Sequence, residues 1–322
     1  MRFRVALLAL LCLVGCSQGL KPVPAAPLDV TVTPDAVLGG IGSASGQLLR
    51  PSGVAVDPRN GSDLVYVADT GNQRIQYLNQ AGDFMKSLGR FGVGPGDFNG
   101  PFALALDYGQ YLFVVDRENH RVQQFDVRGV CIRQYPDANL TNVTLRFPQG
   151  IALNSLGEVY VADTWNDRVV RFDRLGNMLG TLGGFGQGRG FMHRPTAVAV
   201  DRDDNLYVAD SLNHRIQKFN FRGDFLLQFG GQGSGTGYFE EPHGLVVSDA
   251  GLLIVADTGN RRLQVFDLDG RFLTQATETG AGGFQRPVGL AVSGDRLYVA
   301  DSDAHRIVRL KISVISSTRS GE

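Results

Sequence analysis

Val65-Tyr66-Val67-Ala68-Asp69-Thr70-Gly71-Asn72-Gln73-Arg74-Ile75 reads as a strand end, a tight turn and the start of a second strand, and it recurs down the chain. Its aspartate returns as Asp116, Asp163, Asp210, Asp257 and Asp301, at intervals of 47 residues four times and 44 at the last step. Its arginine, Arg74, returns as Arg121, Arg168, Arg215, Arg262 and Arg306. Two further markers keep the same phase. A proline opens each unit (Pro51, Pro101, Pro148, Pro195, Pro242, Pro287), and Gly82 returns as Gly129, Gly176, Gly223 and Gly270. Markers that agree in phase define six tandem units.

Outward from that stretch, each unit reads as four short strands. An apolar strand follows the proline, as in Thr196-Ala197-Val198-Ala199-Val200, and an acidic turn leads to Leu206-Tyr207-Val208-Ala209. Arg215-Ile216-Gln217-Lys218-Phe219 alternates apolar and polar side chains, as a half-buried strand does. The glycine at 223 supplies the positive φ of a hairpin into a fourth strand. About 47 residues with one small sheet cannot bury a core of their own, so the units must stack. Apolar inner strands and alternating outer ones predict an all-β fold, a six-bladed β-propeller of four-stranded antiparallel blades. The sixth unit lacks a fourth strand, while Ala36-Val37-Leu38-Gly39-Gly40-Ile41-Gly42 matches Lys86-Ser87-Leu88-Gly89-Arg90-Phe91-Gly92. An N-terminal strand near residues 35–40 is therefore expected to complete the last blade, with Ser313-Val314-Ile315 as a competitor for that slot. The expected propeller is 35–312, with a tail at 313–322.

The Pro-x-Gly-[Val/Ile/Leu]-Ala-Val start, the Tyr-Val-Ala-Asp strand end and the Asn-x-Arg turn resemble NHL repeats over about residues 35–312. The resemblance implies a six-bladed propeller. Phe102-Ala103 and Ala304 depart from the repeat, and a glycine-free connection joins units two and three. Propellers host many unrelated sites, so the resemblance fixes the fold and leaves function to particular residues.

The first residues read as an export signal: a basic start at Arg2 and Arg4, an apolar run from Val5 to Val14, then Leu13-Val14-Gly15-Cys16, which resembles the lipobox of bacterial lipoproteins. The expected organisation is a signal peptide at 1–15 and a Pro/Ala-rich tether at 16–34 with Cys16 lipidated. Ser17 in place of Asp implies, by the same resemblance, an outer-membrane address in the cell envelope, facing the periplasm or the cell surface. Cleavage would remove two bases and no acid from 31 basic and 32 acidic residues. The mature chain stays slightly acidic, which disfavours nucleic acid, including the single-stranded RNA that some NHL domains bind. Cys131 is left without a disulfide partner and reads as a packed side chain.

The repeated Asp and Arg are expected to be structural, Asp capping its own turn and Arg pairing with a carboxylate or carbonyl between blades. Residues that break the repeat are better binding candidates. Directly after the proline stand Ser52, Phe102, Gln149, Thr196, His243 and Val288, a ring expected at the channel mouth. Arg117, Trp165 and Leu212 break the turn and, with Phe102, form an expected patch beside it. Pro242-His243 resembles the Pro-His segments of the peptidylglycine amidating lyases, whose three histidines bind zinc. One histidine in the ring cannot rebuild that cage, and His193 adds at most a second ligand. His120, His214 and His305 read as solvent-facing turn residues. No Gly-x-Ser-x-Gly elbow, phosphate loop or Cys-rich zinc motif occurs.

No catalytic residue, no metal site and no cofactor are expected, apart from calcium as an option for the channel. The leading expectation is a monomeric, membrane-anchored binding scaffold for an envelope protein, peptide or glycan. The alternative is an envelope enzyme with a metal-assisted lyase or lactonase-like site at the channel mouth.

Overall fold

Among the described residues of the computed structural model, twenty-four strands form six four-stranded antiparallel sheets arranged as blades. The structure describes residues 28–58, 61–137 and 142–316; the signal segment, Cys16 and the chain up to residue 27 lie outside them. Blade one runs from the channel outward as Gly53–Asp57, Leu64–Asp69, Arg74–Leu78 and Phe84–Leu88. The next four blades repeat this order, and blade six combines Pro287–Ser293, Arg296–Asp301 and Arg306–Ser316 with the N-terminal strand Leu28–Leu38.

The closing strand starts ahead of residue 35. Leu28 pairs with Ser316 and Leu38 with Ile307, so residues 28–34, read as tether, join the blade. The physical reason is the period-2 pattern of Asp29-Val30-Thr31-Val32, which buries Val30 against blade five while its neighbours face out. Ser313-Val314-Ile315 does not compete for the slot. It lengthens the strand that the N-terminal strand pairs with.

Six apolar clusters hold the ring, one in each gap between neighbouring blades. Between blades six and one, Leu48, Val54, Val65 and Val67 pack against Leu38, Ala291, Tyr298, Ala300 and Ile307. A polar lock reinforces that closure, with buried Asp63 of blade one accepting from Ser293 Oγ at 2.7 Å and Tyr298 Oη at 2.6 Å of blade six.

On one face, here the loop face, lie the crossovers between blades and the Asp-to-Arg turns. Asp69 does not cap its own turn, since its side chain takes no backbone N–H there. It reaches the incoming crossover instead, accepting from Leu49 N at 2.7 Å as well as from Arg74 Nε at 2.7 Å, Asn72 and Gln76. Arg74 donates onward to the crossover carbonyls of Ala44 and Gln47. Each repeat Asp–Arg pair (Asp116–Arg121, Asp163–Arg168, Asp210–Arg215, Asp257–Arg262, Asp301–Arg306) is built alike. The motif ties a blade to the loop that enters it.

His120, His214 and His305 are not merely solvent-facing. Each takes a left-handed φ and accepts, through Nδ1, the backbone N–H of the next blade's residue before proline: Phe147 at 3.1 Å, Glu241 at 3.2 Å and Arg50 at 2.9 Å. Gln73 and Asp167 do the same for Gly100 and Arg194. At the sixth junction Arg261 has no acceptor, and Asp301 Oδ1 takes the N–H groups of Gln285 and Arg286.

Candidate functional site at the channel mouth

The inner strands begin so close together that the first residues after each proline meet around the axis. Gly244 shows how tight the fit is: a Cβ there would lie 1.9 Å from the Val288 carbonyl oxygen of the next blade. The structure brings Ser52, Phe102, Gln149, Thr196, His243 and Val288 around one cavity of about 60 Å³. That is room for a few waters or one small polar group and not for a ring. A ligand larger than this must sit above the mouth.

Two of the ring's polar groups are already used. Ser52 Oγ donates to the Phe102 carbonyl at 2.9 Å, and Thr196 Oγ1 donates to the Pro242 carbonyl at 3.0 Å. These hydroxyls link blades and are not poised as nucleophiles. Gln149 Oε1, in contrast, is buried without a hydrogen-bond partner. His243 places Nδ1 3.0 Å from the Glu241 carbonyl, which fixes the proton on Nδ1 and leaves Nε2 as an acceptor. Burial pushes this imidazole below its ordinary value. The Glu241 carbonyl and carboxylate oppose that shift, and Arg286 and Arg117 add to it. The histidine is neutral at neutral pH.

Arg117 stands where the other turns carry Thr70, Thr164, Ser211, Thr258 and Ser302. Thr70 and Thr258 donate their hydroxyls to the next blade's proline carbonyl, Pro101 at 2.7 Å and Pro287 at 2.6 Å. Arg117 lies over aromatic rings instead, 5.3 Å from the Phe102 centroid and 6.0 Å from that of Phe147. Its ionic contact is Glu118, at 3.6 Å and half-exposed, and its Nε is buried without a partner.

The aromatic surface continues outward. Phe147 stacks 4.8 Å from Trp165, and the guanidinium groups of Arg194 and Arg146 lie 4.0 and 5.3 Å from the Trp165 ring. Trp165 stays 37% exposed and Leu212 38%. Phe102, Arg117, Phe147 and Trp165 thus form a continuous shelf across blades two and three, with Leu212 on the turn of blade four. Phe147, Arg146 and Arg194 were missed from sequence, although each stands within two residues of a repeat proline. His193 sits edge-on to Phe185, 5.1 Å away, instead of approaching His243.

The donor set does not fit a metal cage. Among the described residues no three His, Cys, Asp or Glu side chains come together. The cavity lining has no carboxylate, and Gln149 Oε1 is its one unpartnered buried side-chain oxygen. Calcium takes six to eight oxygens. A wider bowl of about 570 Å³ opens on the opposite face. Its floor includes Val56, Leu106, Leu153, Val200, Val247 and Val292, and its aspartates are engaged in turns and pairs, as with Asp201 and Asp204. No signal in the sequence pointed there, because these residues keep the repeat.

The model of the NHL repeat family matches residues 48–77, 145–172, 192–219, 239–266 and 284–310. The unit it passes over is the second, which carries Phe102, Ala103 and Arg117. No curated protein matches the sequence significantly. Solved structures similar to this one include a gluconolactonase from Xanthomonas campestris, at 17% identity and TM-score 0.64, covering 91% of this chain and 100% of that one. A catalytically inactive histidine-to-alanine variant of virginiamycin B lyase from Staphylococcus aureus with quinupristin matches at 16% and 0.60, covering 91% of each chain. The PQQ-bound aldose sugar dehydrogenase of Streptomyces coelicolor matches at 18% and 0.58, covering 90% of this chain and 100% of that one. Likeness at these identities carries the fold and not the activity. The chain is an NHL-repeat protein folded as a six-bladed β-propeller.

Proposed function

We propose that the protein is a binding scaffold, anchored in an envelope membrane through Cys16, that holds a protein, peptide or glycan partner on its loop face. The observation that carries this reading is the shelf of Phe102, Arg117, Phe147 and Trp165. These side chains break the repeat in neighbouring blades, remain partly exposed and are held rigid by the ring beneath them. Aromatic and arginine anchors on a rigid base lose little entropy on binding. The direction of the chain supports the same reading. The N-terminal strand enters at Leu28, paired with Ser316, and reaches the loop face only at Leu38. An anchor ahead of Leu28 therefore leaves the shelf turned away from the bilayer. Crosslinking the full-length protein in its native envelope, followed by purification, tests this. Trp165→Ala should weaken partner capture at least about fivefold, equivalent to about 1 kcal/mol. Capture that is unchanged with the shelf altered would refute the reading.

A second reading, an enzyme at the channel mouth, is favoured by one feature: His243 is neutral, tautomer-fixed and has Nε2 free to act as a general base. Similar folds include a lyase and a gluconolactonase. Turnover of a lactone or ester that disappears in His243→Ala would replace the scaffold with this alternative.

A further inference from the structure

Gln149 and His243 of the cavity lining, and Arg117 beside them over the Phe102 ring, carry polar atoms with no hydrogen-bond partner among the described residues, and together they describe a ligand. Arg117 Nε is a buried donor, on a guanidinium whose ionic contact is long and half-exposed. A buried donor left unpaired costs about 1–3 kcal/mol, so Arg117 Nε gains from any acceptor outside the chain, a water or a ligand group. Gln149 Oε1 is a buried acceptor in the same condition. His243 Nε2 is a second acceptor lining the same cavity, its tautomer set by the Glu241 carbonyl. Arg117 is dispensable to the repeat, since Thr or Ser occupies its place in all five other turns.

The cavity's size limits what enters. At about 60 Å³ it admits one small polar group, the donor beside the acid, while the acid meets Arg117 outside the lining and any sugar or aromatic ring lies on Phe102 and Phe147 above. Acidic neighbours do not cancel the arginine. Glu118 touches Arg117 at 3.6 Å, while Glu241 is offset by Arg286, which has no ion pair among the described residues.

We propose that the mouth binds the terminal carboxylate of a ligand that carries an amide N–H or hydroxyl beside the acid. Arg117 donates to the carboxylate, Gln149 Oε1 and His243 Nε2 accept from the adjacent donors, and the ligand's body rests on the aromatic shelf. A peptide C-terminus and a uronic acid share this chemistry. The proposal rests on the loop face being the binding surface.

Trp165, the single tryptophan, stands on the same shelf and reports binding through its fluorescence. The full-length protein is titrated with N-acetylalanine and with methyl glucuronide, each also as its methyl ester. One of the acids should saturate the signal below about 10 mM, its ester should bind at least about tenfold more weakly, and which acid binds identifies the source. Arg117→Gln should weaken the acid at least about tenfold, Arg117→Lys should fall between, and Arg202→Gln on the opposite face should leave affinity unchanged. Circular dichroism confirms that each variant is folded. The proposal is overturned if neither acid saturates, if acid and ester bind alike, or if Arg117→Gln binds as well as the parent. Partner capture that still depends on Trp165 would then leave the scaffold standing while the carboxylate falls.

Discussion

Asp210→Ala should destabilise the propeller by about 3–5 kcal/mol, the cost of leaving a buried charge without its partner. Asp210 is fully buried and accepts from His193 N at 2.7 Å, Arg215 Nε at 2.7 Å, Asn213 Nδ2 at 2.9 Å and Gln217 Nε2 at 3.1 Å. Removal strands Arg215, itself buried, although its outer nitrogens keep the carbonyls of Gln187, Gly188 and Phe191. Burial raises the Asp210 carboxyl above the usual carboxylate range, against the pull of His193 N, Asn213 and Arg215. The ionised form is thus held at a desolvation cost. The single change should therefore hurt more than the pair is worth, and Arg215→Leu added to Asp210→Ala should cost clearly less than the sum of the two single changes. Blade three supplies an internal comparison. Asp163 accepts from Arg146 N, Asn166 and Arg168, but Val170 replaces the buried glutamine and the Arg168 side chain is 29% exposed. Asp163→Ala should cost about 2–3 kcal/mol. Urea unfolding of both variants measures the order, with a midpoint loss for Asp210→Ala of order 10 °C in a thermal scan. An equal or larger loss for Asp163→Ala would refute the assignment of stability to the closed network.

Three further outcomes follow from the geometry. Gly244→Ala should cost about 3 kcal/mol or more in denaturant unfolding, because its Cβ would press on the Val288 carbonyl with no rotamer to relieve it. Asp63→Ala should lower stability by about 2–4 kcal/mol, since it strips Ser293 and Tyr298 of their shared acceptor at the ring closure. His243 has a folded-state value below its ordinary 6.5, so the unfolded chain takes up the proton first. Its penalty is absent above about pH 6.5 and grows as pH falls towards the depressed value. The difference in stability between the parent and His243→Gln should shift towards the variant between about pH 6.5 and 5. A flat difference would contradict the buried neutral histidine.

The fold was legible because a ring of identical blades writes the same solution six times. Pro51, Asp69 and Gly82 and their counterparts fix strand, turn and hairpin without knowledge of tertiary contacts. The start of the closing strand was hidden because Asp29-Val30-Thr31-Val32 adjoins prolines and its partners, Ile315 back to Ile312, lie at the far end of the sequence. The junction histidines, read as solvent-facing turn residues, hid a second role for a related reason. Their acceptor role depends on which backbone N–H the next blade presents, although Gln73, His120, Asp167, His214 and His305 share one property, an acceptor on the side chain. The mouth ring could be aligned by position alone. Sequence could not show that Ser52 and Thr196 spend their hydroxyls between blades while Gln149 and Arg117 keep atoms unpaired.

The most direct test of the loop face as the binding surface is to map crosslinks between the full-length protein and its envelope partner by mass spectrometry. Crosslinked residues should fall on the crossovers and Asp-to-Arg turns around Arg117, Arg146, Trp165 and Arg194, and Trp165→Ala should deplete them. Crosslinks concentrated on the opposite face, around Tyr108, Arg202 and Asp249, would contradict the account and move the partner to the wider bowl.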